Sequence, residues 1–350
     1  PDDVAALPAV VSVVRNRDKD RLVDDVLGPT TAVRFGDGDG GCGAPLEPGV
    51  MGRTAFTLRV QTGCEERCAY CIIPSTRGAG RSLPLEQVLG EVARVAAAGY
   101  REVALTGVHL GSYGRDLSPA VSLLDLLRAL AGLPHDIVFR VSSLEPMDCT
   151  PDVVDTITSS NGRFAPHFHL PLQHASDVVL ERMRRPYTLE YYRQTIGAIL
   201  DRVPHASIGS DMIVGFPGET DEEFAANLAY LPSSGLTHLH VFPYSDRPGT
   251  AATAMRDKVD GAVVRERGMR LRAIGAELSR RFRDSQIGTV RPALTLEDGT
   301  LVVTDNFLKL RIPPGLQRNA RVDVRVVADG VGEVVGLQAS QASSPKPQAS

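Results

Sequence analysis

The sequence predicts an α/β fold: a partial (β/α)6 barrel followed by a small antiparallel β-barrel. Three observations carry that prediction. Six short apolar runs alternate with longer amphipathic ones between residues 54 and 286, the pattern of a parallel sheet whose strands are joined by right-handed helical crossovers. Polar or special residues gather where those runs end, as functional groups do at the strand C-termini of a barrel. Beyond residue 287 the texture changes to short alternating runs broken by tight turns, which reads as a small β-barrel.

Taken in order, residues 1–30 read as the remnant of a small α/β unit. A helix start at Pro1-Asp2-Asp3, a buried strand from Ala9 to Val14 and a helix from Arg17 to Leu27 follow one another. Residues 31–53, rich in Gly and Pro around FGDGDGGCGAPLEPG, form a linker. The six predicted strands are TLRVQ (57–61), EVALT (102–106), IVFRVSS (137–143), HFHLPLQ (167–173), DMIVGF (211–216) and HLHVFPY (238–244). Helices are expected at 85–98, 123–131, 189–203 and 221–231. Pro84 after Ser82 and Thr220 before Asp221-Glu222-Glu223 supply start signals. A long Arg-rich helix over 263–284 ends the first domain (54–286). ALTLE, LVVTD, LKLRI, RVDVRVV and GEVVGL then build the second (287–338), with Glu297-Asp298-Gly299 as a turn. Residues 339–350 are a disordered tail by composition.

Composition is that of a soluble globular protein, 43% hydrophobic and 23% charged. No apolar run reaches the ~18 residues of a membrane span, and no secretory signal opens the chain. The net charge of −4 announces no nucleic-acid partner in bulk, so such a site must be a local basic patch. Basic residues are almost all Arg, with four Lys, for which codon bias is the plainest explanation. Five cysteines, three of them clustered, do not make a disulfide framework; they fit a reducing cytoplasm and a metal or redox site.

That cluster is GCEERCAYC (63–71), in which Cys64, Cys68 and Cys71 follow C-x3-C-x2-C directly after the first strand. A structural zinc wants four ligands and a thiol-redox site usually one C-x-x-C pair. Three thiolates bind three irons of a 4Fe-4S cluster and leave the fourth open for a small molecule. Zinc completed by a distant ligand, such as a histidine, is the alternative.

The spacing, with Tyr70 before the last cysteine, resembles the radical S-adenosylmethionine superfamily. QTGCEERCAYCIIPSTRGAGRS (61–82), HLPLQHASDVVLERMRRPYT (169–188), SDMIVGFPGETDEEF (210–224) and HVFPYSDRPGTAA (240–252) resemble its methylthiotransferase family. LTGVHLGSYGRDL (105–117) is similar to the branch that modifies N6-threonylcarbamoyladenosine beside the tRNA anticodon. The branches acting on isopentenyladenosine or on a ribosomal protein usually differ there. The resemblance implies a radical S-adenosylmethionine barrel of TIM-like form and a C-terminal TRAM domain that holds RNA or substrate. It also implies tRNA, an electron donor protein and a sulfur donor as partners.

By the same resemblance, the open iron chelates the amino and carboxylate groups of S-adenosylmethionine. One electron then gives methionine and a 5′-deoxyadenosyl radical, which takes the hydrogen from C2 of the adenine. The cofactor carries that hard step, so no catalytic triad is expected. Gly107 is expected where the backbone meets the methionine amino group; an ordinary turn is the alternative. Gln173 is a candidate for ribose or carboxylate and Arg184 for the methionine carboxylate; otherwise they are a loop cap and a surface residue. Tyr70 and Phe242 are candidates to bracket adenine, and otherwise core.

His167, His169 and His174 invite a metal reading, but alternation supplies no further ligand, so they are taken as structural or substrate-lining. Seven Arg between residues 263 and 284, and Arg77 with Arg81, are candidate RNA contacts; a solvated helix face explains the first set nearly as well. The family's N-terminal domain carries three more cysteines for a second 4Fe-4S cluster. Those ligands are absent from this sequence, and neither Cys42 nor Cys149 stands where a replacement is expected.

Overall fold

The computed structural model describes residues 2–14, 22, 46–49 and 53–338. Strands β1 (Phe56–Arg59), β4 (Glu102–Thr106) and β5 (Val138–Val141) pair in parallel in the order β1-β4-β5, and β6 (His167–His169), β7 (Ser207–Val214) and β8 (His238–Pro243) do the same. A parallel bridge between Phe139 and Phe164 joins the two sheets, so all six strands run in one direction in sequence order. This is the expected partial (β/α)6 barrel. Between β1 and β4 a two-residue hairpin, β2 (Gln61–Thr62) with β3 (Arg81–Ser82), closes the base of the cysteine loop.

Around the strands lie α3 (Leu85–Ala97), α4 (Leu123–Ala131), α5 (Pro151–Thr158), α6 (Asp177–Arg182), α7 (Leu189–Arg202), α8 (Asp221–Tyr230) and α9 (Gly261–Gln286). Two shorter helices precede them, α1 (Asp2–Ala5) and α2 (Ile73–Arg77). Each major helix turns an apolar stripe to the sheet: Val88, Val92 and Val95 on α3, and Leu123, Leu126, Leu127 and Leu130 on α4. Helix starts are built as the sequence requires. Ser122 with Asp125 and Thr220 with Glu223 form reciprocal capping boxes, and Thr150 and Thr188 cap α5 and α7. Helix α9 lies along β8, and Gly275 is what permits the approach, since a Cβ there would meet the Leu239 Cβ at 3.2 Å.

Strands β9 (Val290–Leu296), β10 (Leu301–Thr304), β11 (Lys309–Arg311), β12 (Arg321–Ala328) and β13 (Val331–Leu337) close a five-stranded barrel in the order β10-β11-β13-β12-β9. Its pairings are antiparallel except β11 with β13, which is parallel, so the expected all-antiparallel barrel is corrected at one seam. The small barrel covers the end of the large one where the parallel strands begin. Phe307 stacks on His167 with ring centroids 4.6 Å apart, and Asn306 donates to the His205 carbonyl at 3.0 Å. The buried pair Arg140–Glu102 reaches across, Arg140 donating to the Asp305 carbonyl at 3.0 Å.

One reading of the N-terminal segment changes. Residues 10–14 form no strand, and Val11 is 98% exposed, because no described strand pairs with them. The expected helix over 17–27, most of the linker with Cys42, and the tail 339–350 lie outside the described residues.

Candidate functional site

The three cysteines sit on a loop pinned at several points. Gly63, at φ +76°, starts it in a conformation and a space that only glycine fits, since a Cβ would meet the Ala79 carbonyl oxygen at 2.0 Å. The Cys64 amide donates to the Gly78 carbonyl at 3.1 Å. In the middle, the Ala69 amide donates to the Met183 carbonyl and the Ala69 carbonyl accepts from the Ala252 amide. Ala69 is buried among Val179, Met183, Ile213, Phe216 and Ala252. The thiols therefore hang from a backbone fixed to three separate parts of the chain.

Two of the three thiols, those of Cys68 and Cys64, meet a polar group held from behind. Arg185 donates to the Cys68 sulfur at 2.9 Å, pairs with Glu145 and donates to the Tyr187 hydroxyl at 3.1 Å. Burial pushes the Cys68 thiol up, and Arg185 pulls against that shift. On the other side, His109 Nδ1 lies 3.9 Å from the Cys64 sulfur while its Nε2 is 2.8 Å from the Asp148 carboxylate. Burial works to lower the His109 pKa, but the hydrogen bonds with Asp148 and Cys64 outweigh it and raise the imidazole to about 9. Gln61 ties this side to the loop. Its side-chain oxygen accepts from the Val108 and His109 amides and its nitrogen donates to the Gly63 carbonyl.

A pocket of about 420 Å³ opens beside Cys71 at the C-terminal ends of β6, β7 and β8. Tyr70, Gln173 and Phe242, all expected at the site, line it together with Asp211, Tyr244 and Arg247. Gln173 is held at φ +68°, rare for a residue with a side chain, by the bonds from its amide to Asp211 and from Ile213 to its carbonyl. Among the described residues no protein group hydrogen-bonds its side-chain amide, which is left to face the pocket. Phe242 is half exposed on the same wall.

The other two candidates stand elsewhere. Gly107 follows β4 and lies against Gln61, where a Cβ would meet Leu110 Cδ2 at 2.8 Å and the Gln61 oxygen at 3.1 Å. Arg184 is exposed, at φ +57°, and outside the pocket lining; its neighbour Arg185 turns inward to the thiols. His109, Asp148 and Arg185 were not singled out in the sequence, and Glu145 stood out only as a polar residue at a strand end. Nothing local marks which of two adjacent arginines is buried. A charge inside the apolar strand SIGSDMIV was a readable signal for Asp211.

The histidines divide into a structural one and one with unforeseen neighbours. His174 is fully buried between Glu219 and Asn227, 3.4 and 2.9 Å away, where it helps fix the GFPGE turn. His169 is joined by ligand-type groups that the strand alternation did not reveal: Asp211 on β7 and His240 on β8. Among the described residues those three converge within 4.8 Å as a single ion would require, and the three thiols are not such a set. Thiols that share one pinned loop without converging on a point suit a polynuclear centre better than one zinc ion. Cys149 is buried and takes no part.

Residues 58–231 match the model of the radical SAM superfamily. With the cysteine loop at the strand C-termini of a partial barrel, this puts the chain in that superfamily. A threonylcarbamoyladenosine tRNA methylthiotransferase of Bacillus subtilis (strain 168) is 36% identical over 274 residues, 75% of this chain and 60% of the relative. One from Aquifex aeolicus (strain VF5) is 35% identical over 254 residues, 73% of this chain and 61% of the relative. A tRNA-2-methylthio-N(6)-dimethylallyladenosine synthase of Staphylococcus aureus (strain JH9) is 39% identical over 215 residues, 61% of this chain and 41% of the relative. The chain belongs to the radical SAM methylthiotransferase family, and it spans about 60% of the length of the first two of these relatives.

Proposed function

We propose that this chain carries the radical catalytic part of a tRNA methylthiotransferase that converts N6-threonylcarbamoyladenosine to its 2-methylthio derivative. The observation that carries the reading is the loop of Cys64, Cys68 and Cys71, fixed beside a pocket whose walls are Tyr70, Gln173 and Phe242. A 4Fe-4S cluster held by the three thiolates would supply one-electron cleavage of S-adenosylmethionine. The chain's own groups do the positioning. Arg185 and His109 offer donors to the Cys68 and Cys64 sulfurs, Gln173 offers an unpaired amide to ribose or carboxylate, and Tyr70 and Phe242 offer faces to a purine.

The substrate assignment rests on LTGVHLGSYGRDL (105–117) and on the names of two relatives. That stretch contributes His109 to the flank of Cys64, so branch-specific residues stand next to the reactive centre. Dimethylallyladenosine tRNA is the second reading, favoured by the 39% identity of the Staphylococcus aureus relative. An electron donor protein, a sulfur donor, a cytoplasmic site of action and a TRAM-like role for the small barrel belong to the same proposal. No described helix is long and apolar enough to cross a membrane.

Nucleoside mass spectrometry of tRNA from cells with and without the intact gene tests the substrate. Loss of 2-methylthio-N6-threonylcarbamoyladenosine with build-up of its precursor is expected. An unchanged level of that nucleoside with loss of the dimethylallyl analogue would transfer the assignment to the second reading.

A further inference from the structure

Strands β6, β7 and β8 bring His169, Asp211 and His240 side by side inside the barrel. In the parallel register Asp211 stands directly opposite His240, and His169 opposite Gly209, two residues before Asp211. His169 Nε2 is 3.0 Å and His240 Nδ1 3.1 Å from the same Asp211 oxygen, and the three ligand atoms lie within 4.8 Å of one another. In a tetrahedral site with bonds of about 2.0–2.1 Å, neighbouring ligand atoms are about 3.4 Å apart. The two His–Asp pairs, at 3.0 and 3.1 Å, are already close to that spacing, and the third pair lies within 4.8 Å.

We propose that His169, Asp211 and His240 form a mononuclear site for a borderline divalent transition cation of the zinc or ferrous class. Two imidazoles and one carboxylate are the donor set that catalytic sites of such ions use, with a further coordination position left open. Asp211 lies at the boundary of two spaces: the pocket beside Cys71 and a larger cavity of about 740 Å³. An open position there faces whatever occupies the pocket. The larger cavity is suited to a polar occupant, for the buried His167 Nδ1 on its wall has no hydrogen-bond partner. His238 packs behind, its ring tilted against that of His169 at 6.2 Å and edge-on to that of His240 at 5.5 Å, with its Nδ1 3.1 Å from the Thr237 hydroxyl. The ion's class of ligand is a nitrogen or oxygen donor of the bound substrate, polarised or oriented by the cation without change of oxidation state.

The donor set does not depend on the cluster assignment, and the triple-serine protein tests it with no cluster present. The full chain and a C64S/C68S/C71S variant are titrated anaerobically with cobalt(II) alone, read by its visible ligand-field bands. One cobalt per chain should bind to the histidine–carboxylate site in both proteins; in the wild type it is counted after the thiols are occupied by reconstitution. Because removing only an outer partner of a metal ligand costs about 10- to 100-fold in affinity, H240Q and H169Q should weaken binding by more than about 100-fold. His240 is exposed, its side chain 56% accessible, so H240Q keeps the fold; its melting temperature checks this. Absence of cobalt binding in the triple-serine protein, or undiminished binding in both H240Q and H169Q, would overturn the site and leave a hydrogen-bonded His–Asp–His cluster.

Discussion

Replacing Arg185 by methionine removes one charge from a buried set and keeps most of its volume. The guanidinium side chain is 2% exposed and Glu145, its ion-pair partner, 23%. Breaking a fully buried pair by deleting one partner costs about 3–5 kcal/mol; the partial exposure of Glu145 lowers that to about 2–3 kcal/mol. Loss of the cation–π contact with Tyr187, 5.0 Å from the guanidinium carbon to the ring centroid, adds about 1 kcal/mol. The expected total is about 3–4 kcal/mol, measured by urea unfolding of the cluster-free, reduced protein with the slope m unchanged. Much of that cost is the stranded carboxylate. R185M/E145Q should therefore recover at least about 1 kcal/mol relative to R185M, a coupling expected of groups in direct contact. Strict additivity of R185M and E145Q, within about 0.5 kcal/mol, would refute the idea that Arg185 is held chiefly by Glu145 behind the thiols.

Three other outcomes follow from particular groups. S122A should cost about 1 kcal/mol at pH 7 by removing the cap of α4. Hydrogen bonds from Ser122 hold the Asp125 carboxyl below the usual carboxylate range. Its contribution is therefore complete above about pH 4 and fades as the pH falls through the lowered value, so chemical-denaturation curves of S122A and wild type should draw together in acid. Cys149, 3% exposed and pushed by burial to about 12, should stay unalkylated by iodoacetamide at pH 8.5 until the chain is unfolded, whereas the loop thiols of cluster-free protein react. Anaerobic reconstitution should load about four irons per chain, lost in C68S; about eight would reveal a second cluster site in this chain.

Much of the architecture was readable because each barrel strand is a short apolar run bounded by turn residues, and five of the longer helices start at a Ser, Thr or Asp cap. The boundaries that moved have local causes. The run HFHLPLQ leaves the ladder after His169, where Pro171 and the positive φ of Gln173 bend the chain. Strand β7 begins at Ser207, earlier than its apolar half. Its small polar residues are buried there: Ser207 lies 3.3 Å from the Thr237 hydroxyl, and Ser210 accepts from the Leu172 amide. Helix α6 is six residues long, too short to show a period. The apolar run at residues 9–14 resembled a strand but has nothing to pair with among the described residues. At the site, cysteine spacing is a local signal and was legible. The inward turn of Arg185 instead of Arg184 depends on the positive-φ turn that ends α6, and the meeting of His169, Asp211 and His240 on register between strands distant in sequence.

The most direct measurement is the fate of S-adenosylmethionine on the anaerobically reconstituted, reduced chain. Formation of 5′-deoxyadenosine and methionine in equal amounts, abolished in C68S and reduced in Q173A, is the result expected if the cysteine loop and its pocket form a radical site. An iron-loaded, reduced and folded protein that leaves S-adenosylmethionine intact would contradict it.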